Sequence, residues 1–258
     1  MRWTIFISIF CVFSLFVGAV HAQQTPQRIS TKNVTDAAFA NAFSDAFADE
    51  DSAPLISDPF ETMNRGTFWF NDKLYFYFLK PVARVYSIVP RPARTSVGNF
   101  FSNLSSPVRV INSVLQLKLD DAGREISRFF INSIIGLGGL FDVADKWAKI
   151  PQKKEDFGQT LGFYHLGQGP YLILPFLGPS SLRDAGGTLV DTAFLDPFTL
   201  HLTQNWNLTE KTGLRVGQAI NYLSLDDDSY EKIKRDSLDP YLFMRAAYAQ
   251  YRLAKVAQ

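Results

Sequence analysis

The segment Asp58–Leu79, DPFETMNRGTFWFNDKLYFYFL, carries more aromatic surface than a helix on a water-soluble domain usually leaves outside its core. Asp58 is placed to N-cap a helix, Pro59 suits its first turn, and Glu61 stands three residues past the cap. Beyond them, Phe60, Phe68, Trp69, Phe70, Leu74, Tyr75, Phe76, Tyr77, Phe78 and Leu79 cover more than one helical face. Asn64, Arg65, Asn71, Asp72 and Lys73 interrupt the run, so it does not read as one clean transmembrane span. Two readings are open for the segment itself: a helix lying in a membrane interface, or a core helix of an all-α domain.

Arg2 followed by the apolar run Trp3–Val20 and the small-residue site Val20-His21-Ala22 reads as a signal peptide over residues 1–22, with an uncleaved anchor as the alternative. The one cysteine, Cys11, falls inside this run, and Ser8-Ile9-Phe10 before it does not form a lipoprotein signal. The mature chain is therefore expected to lack disulfides, a thiol nucleophile and thiolate metal sites. Lys+Arg number 26 against 25 Asp+Glu, and Arg2 leaves with the signal, so no electrostatic footprint for nucleic acid exists. Aromatic residues make up 14% of the chain, 23 of them Phe, which favours an apolar or membrane-contacting protein.

Residues 23–57 read as a linker. Phe39, Phe43 and Phe47 recur within it at one-turn spacing, which leaves open either a docking helix or plain disorder. From Asp58 to the end, residues 58–258 read as a succession of helices punctuated by Pro and Gly. Starts are expected at Ser106-Pro107, Asp120, Asp156, Ser181, Asp226 and Asp239-Pro240. Tyr171–Leu177 is too short to span and is broken by Pro175, so it is either a buried extended segment or a membrane-facing loop. Gly136-Leu137-Gly138-Gly139 forms a turn between large apolar residues, where a water-facing loop would be polar. Strand signals are nearly absent, and the fold class is all-α.

Catalytic motifs are missing. No HExxH, Walker loop or GxSxG elbow occurs, and Phe141 stands where a dinucleotide fingerprint needs its third glycine. His165 reads as a helix-end residue rather than a base, and Arg183 beside Asp184 as a solvated or structural pair rather than part of a catalytic dyad. No enzyme activity and no cofactor or metal is expected. Arg65, Arg109 and Arg128 lie in greasy segments and need partners or water, which fits an apolar exterior around a polar interior, with snorkelling surface arginines as the alternative.

Long stretches in fixed order carry a resemblance: DPFETMNRGTFWFND, RPARTSVGNFFSNLSSP, SRFFINSIIGLGGLFDVA, EDFGQTLGFYHLGQGPYLILPFLGPSSLRDAGG and the closing DPYLFMRAAY. Together they resemble the MlaA family, also called VacJ, over about Ser57–Pro197 and again at Asp239, with the match fading over Phe198–Asp226. The resemblance implies a membrane-embedded ring of amphipathic helices around an amphipathic channel. Such a protein sits in the Gram-negative outer membrane on the periplasmic side, beside a trimeric porin. It removes phospholipids misplaced in the outer leaflet and passes them to a periplasmic lipid carrier.

On that reading Phe68, Trp69, Phe70, Phe76 and Phe78 face acyl chains, and Gly136, Leu137, Gly138 and Gly139 form a hairpin beside the channel. Arg65, Asn71, Arg109 and Arg128 are candidates for a polar channel surface, the arginines being suited to headgroup phosphates. The missing lipidated cysteine is a departure from the family and leaves attachment to the helices, the porin or the Phe39–Phe47 segment. The alternative function is a structural or surface-associated outer-membrane protein without lipid transfer.

Overall fold

The structure, a computed structural model, describes residues 56–196, 205–226 and 228–258. The expected signal peptide and the Phe39-Phe43-Phe47 segment lie outside them. Eleven α-helices and one β-hairpin make up the described fold. In chain order these are α1 (Glu61–Leu74), a π-helical turn (Tyr75–Leu79), α2 (Lys80–Tyr86), α3 (Arg91–Leu104), α4 (Ser106–Leu115) and α5 (Leu119–Ile134). Next come α6 (Val143–Lys146), α7 (Phe157–Phe163), β1 (Tyr171–Leu174), β2 (Gly178–Ser181) and α8 (Leu182–Val190). A second π-helical turn (Asp191–Leu195) precedes α9 (Leu208–Leu225), α10 (Ser229–Asp236) and α11 (Pro240–Val256).

Many helix starts follow local chemistry. Asp156, Ser181 and Asp239 accept backbone N–H groups at the heads of α7, α8 and α11. Asn207 and Glu210 form a capping box at the head of α9. Four expected starts differ: Asp226 ends α9 and accepts the Ser229 N–H at 2.9 Å, and α10 begins only at Ser229. Asp58 does not cap α1: its carboxylate accepts Asn64 Nδ2 at 2.8 Å and the Tyr241 hydroxyl, so it ties the start of the domain to α11. Ser106 sits inside α4, and its Oγ accepts Arg109 Nη2 at 2.7 Å. Asp120 lies in the first turn of α5, where it complements the helix dipole without capping it.

Tyr171–Ser181 is the exception to an all-helical reading. It forms a two-stranded antiparallel hairpin with Tyr171 opposite Ser181 and Leu174 opposite Gly178. Of the two readings open for Tyr171–Leu177, a buried extended segment or a membrane-facing loop, Tyr171–Leu174 takes the extended one, and its strand pairing was not legible.

Packing between neighbours closes into a ring. α1 runs through the π-helical turn into α2; α2 and α3 pack on α9; α3 meets α5, α5 meets α4, and α4 meets α7. α7 packs on α8 and α11, and the hairpin joins both of these back to α1. Among the described residues no helix is long and apolar enough to cross a membrane.

Candidate functional site: a polar core inside an apolar exterior

Burial is inverted relative to a water-soluble domain. Among the described residues, 12 hydrophobic side chains are buried against 22 polar or charged ones, while 33 large hydrophobic side chains are exposed. Two small apolar clusters exist. One joins Ile56, Tyr171, Ile173, Tyr241 and Ala249, and the other joins Ile233, Phe243 and Ala247. The rest of the interior is held by paired charges and amides.

The first polar network links α4, α5 and the turn after α5. Glu125 is fully buried. Its Oε2 accepts Arg109 Nε at 2.7 Å, its Oε1 accepts the Lys153 N–H at 2.8 Å, and Arg128 Nε lies 3.8 Å from Oε1. Arg128 Nη2 donates to Asp142 at 2.8 Å, and Asn132 donates to the same carboxylate at 3.0 Å. Burial opposes ionisation of Asp142, but the Arg128 and Asn132 hydrogen bonds outweigh it and hold the group below the usual carboxylate range. Burial pulls Arg109 below its ordinary value while Glu125 works in the opposite direction.

A second network locks α7, α8 and α11. Arg252 donates to both oxygens of Asp156 at 2.7 and 2.9 Å and to Asp184 at 3.0 Å, and Tyr248 donates to the other Asp184 oxygen. Desolvation works against the Asp156 charge, yet the two Arg252 hydrogen bonds keep its carboxyl below the usual range. Arg183 donates to Asp184 at 2.9 Å, so that neighbouring pair is structural, as its spacing suggested. Asp191 differs from these: burial pushes it up to about 6, although Asn112 and the Phe157 N–H both donate to it.

Of the aromatic residues singled out in sequence, Trp69, Phe70 and Phe78 are exposed. Phe68 turns inward, edge-on to Tyr241 at 5.9 Å between centroids, because α1 packs this face on the Tyr241 cluster. Phe76 is half-buried against Tyr75 and Tyr230. The four polar candidates do not share one surface. Arg65, on the half-exposed side of α1, donates to Glu61 at 2.7 Å and Asp239 at 2.8 Å. Arg109 and Arg128 meet at Glu125.

Asn71 has a role that its place in an aromatic run did not reveal. Its amide donates to the Leu174 carbonyl at 3.0 Å and accepts the Phe176 N–H at 2.9 Å. Asn64, two turns earlier, does the same with the Tyr171 carbonyl and the Ile173 N–H, both at 2.9 Å. Seven-residue spacing puts both amides on one helical face, where they substitute for a third strand along β1.

Ile135–Phe141 is a tight turn next to the first polar network. Leu137, Gly138 and Gly139 all have positive φ, at 53°, 72° and 94°. The Gly139 N–H bonds the Asn132 carbonyl at 2.8 Å, and a Cβ on Gly139 would sit 2.6 Å from the Asn103 Cβ. Asn99 also donates to the Leu140 carbonyl at 3.2 Å. The turn is thus seated on α3, while Leu137 and Phe141 project outward. Beneath it lies a polar cleft lined by Asn103, Ser106, Arg109, Arg128 and Asp142. Among the described residues, no group of three or more His, Cys, Asp or Glu side chains could hold a metal.

Similarity to known proteins runs along almost all of the described chain. The family model for MlaA lipoproteins matches residues 56–255 and so continues through the region where the sequence motifs fade. The intermembrane phospholipid transport system lipoprotein MlaA of Escherichia coli is 38% identical over 198 residues, covering 75% of this chain and 76% of that protein. Its namesake in Haemophilus influenzae is 32% identical over 203 residues, 78% and 79% of the two chains. An uncharacterised protein of Rickettsia bellii is 34% identical over 202 residues, 78% and 77% of the two. A solved structure described as the structural basis for maintenance of bacterial outer membrane lipid asymmetry superposes with a TM-score of 0.64 at 37% identity. It covers 78% of this chain and 100% of its own. With the family model spanning the domain and relatives above 30% identity covering most of it, the chain belongs to the MlaA family.

Proposed function

We propose that this protein is the outer-membrane component of an intermembrane phospholipid transport system, and that it removes phospholipids from the outer leaflet to maintain lipid asymmetry. The observation that carries the reading is the inverted fold: a ring of helices with paired charges inside and aromatic and aliphatic side chains outside. Such a fold suits a medium whose outer contact is hydrocarbon and whose interior must accommodate a charged headgroup. Relatives named for phospholipid transport support the same assignment.

In this reading the headgroup passes through the ring beside the polar cleft of Arg109 and Arg128, whose charges Glu125 and Asp142 already balance, so the cleft offers the headgroup a polar wall rather than a free cation. The turn Gly136–Gly139 borders that route and sets its opening. Trp69, Phe70 and Phe78 contact lipid. The partners are a porin trimer and a periplasmic carrier, reached from the periplasmic face of the outer membrane after signal cleavage near Ala22. Transport is passive and involves no covalent chemistry.

Deleting the gene and measuring phospholipid accessible in the outer leaflet tests the proposal. A rise reversed by the wild-type gene supports it. An unchanged level in a strain shown to have expressed the protein before deletion rules it out and favours a structural role.

A further inference from the structure

We propose that the stretch Phe39–Phe47, which lies outside the described residues, docks back onto α11 of its own chain and seats its phenylalanines in a groove between α8, β2 and α11. The proposal does not depend on the transport assignment.

The groove is an opening of about 310 Å3 beside the second polar network. Met244, Tyr248 and Tyr251, all half-buried, line it at spacings of four and three residues, so they form one stripe along α11. Its floor is charged but closed. Arg252 donates to Asp156 and Asp184, and Tyr248 donates to Asp184 as well. Charges already matched in this way have little to offer a phosphate or a carboxylate. The rings and thioether above them select an uncharged apolar occupant. An apolar cavity of about 150 Å3 takes one benzene ring, so this volume has room for about two.

The chain delivers such an occupant to this place. Ile56, where the described residues begin, is buried against Tyr171, Tyr241 and Ala249. Its carbonyl accepts Arg245 Nε at 3.1 Å, one residue beyond Met244. Tyr248 packs on the same cluster and also walls the groove, so the point of entry and the groove share a side chain. Phe47 precedes Ile56 by nine positions, a reach of about 30 Å when extended. The 17 residues of α11 are about 25 Å long, which brings the whole groove within that reach.

Phe39, Phe43 and Phe47 recur at one-turn spacing, the same repeat as the stripe on α11. The alternative resting place for them is the bilayer, and charge argues against it. Asp45, Asp49, Glu50 and Asp51 accompany the rings, and the chain has no lysine or arginine between Lys32 and Arg65. Segments that lie on anionic lipid are rich in those cations. Tethering supplies an effective concentration of about a millimolar, so a contact of a few rings is enough to hold the stretch. The family model begins at residue 56, which leaves the stretch outside the part of the chain shared with the family. Docked, it straps α11 to α8 and the hairpin.

Crosslinking within the chain tests the strap. Once the expected signal is removed the chain has no cysteine of its own, so introduced ones report alone. Ala46→Cys lies next to the rings, and Thr188→Cys lies on the exposed rim of the groove. A short bismaleimide added to isolated membranes should join the two positions within one chain. In the F39S/F43S/F47S background, with the fold checked by circular dichroism, the joined fraction should fall about tenfold. Equal joining in the two backgrounds overturns docking by the rings. No joining in either, with both thiols shown to be reactive, overturns the strap altogether. Joining between two chains, rising with protein concentration, gives the groove to a second copy and overturns the proposal. Shielding of position 46 by vesicles in place of a crosslink gives the stretch to the membrane and overturns it as well.

Discussion

Replacing Glu125 by Gln tests whether the polar interior is held by charge or merely by shape. The substitution keeps the side-chain outline and the acceptor for the Lys153 N–H. It removes the one carboxylate shared by Arg109 and Arg128, leaving Asp142 to balance both guanidinium groups. It also turns amide hydrogens towards donors already there. Breaking a buried ion pair from one side costs about 3–5 kcal/mol. For a domain of this size each kcal/mol is worth about 2–4 °C, so the melting temperature should fall by about 10 °C. Salt should not rescue it, because buried charges are weakly screened.

Circular dichroism melts in detergent measure the shift, and a companion variant sharpens it. Arg109→Met with Glu125→Leu replaces the pair by apolar groups and leaves Arg128 on Asp142, so most of the lost stability should return. A Glu125→Gln protein that melts within about 2 °C of wild type would refute the reasoning. So would a double variant as unstable as the sum of its single changes.

Gly139→Ala should cost at least about 2 kcal/mol, because the new Cβ meets Asn103 and the backbone stays left-handed. Gly138→Ala, with nothing within 4 Å, should bear only the conformational part. Hydrogen exchange across 136–141 should rise in the first variant far more than in the second, and equal protection would contradict the seating of the turn on α3. Asp191, raised by burial from 3.8 to about 6, binds its proton more tightly folded than unfolded. Its contribution is thus complete below pH 4 and is lost, by up to about 3 kcal/mol, as pH rises through 6. Asp191→Asn should flatten the melting profile between those values, and parallel profiles for the two proteins would disprove the link.

Helix punctuation was legible wherever it was local. Ser181, Asp156 and Asp239-Pro240 cap the helices they introduce, since the capping bonds themselves reach only the next few residues. Asp58 carried the same signal, but its carboxylate is taken by Tyr241, 183 residues away, and no local pattern announces that. Arg109 and Arg128 were recognisable as charges in need of partners, whereas Glu125 sat unremarked on the same helix as Arg128. Asn71 read as an interruption in an aromatic run. Its seven-residue relation to Asn64 is the signal that could have exposed the pair, once an extended partner segment was placed alongside. Phe68 shows the limit of composition: an aromatic-rich helix needs one inward face as well, and the sequence does not mark which ring takes it.

The ring has a consequence for how the chain is made. Its closing contacts join Asn64 and Asn71 to a hairpin more than 100 residues later, and Asp58 to Tyr241 at a separation of 183. Contacts that distant carry the largest loop entropy and form last. A chain delivered from its N-terminus therefore presents the aromatic α1 long before the segments that pin it exist. Until α11 arrives those closing contacts are unmade, and the exposed apolar side chains of α1 need shielding from association while the chain is completed.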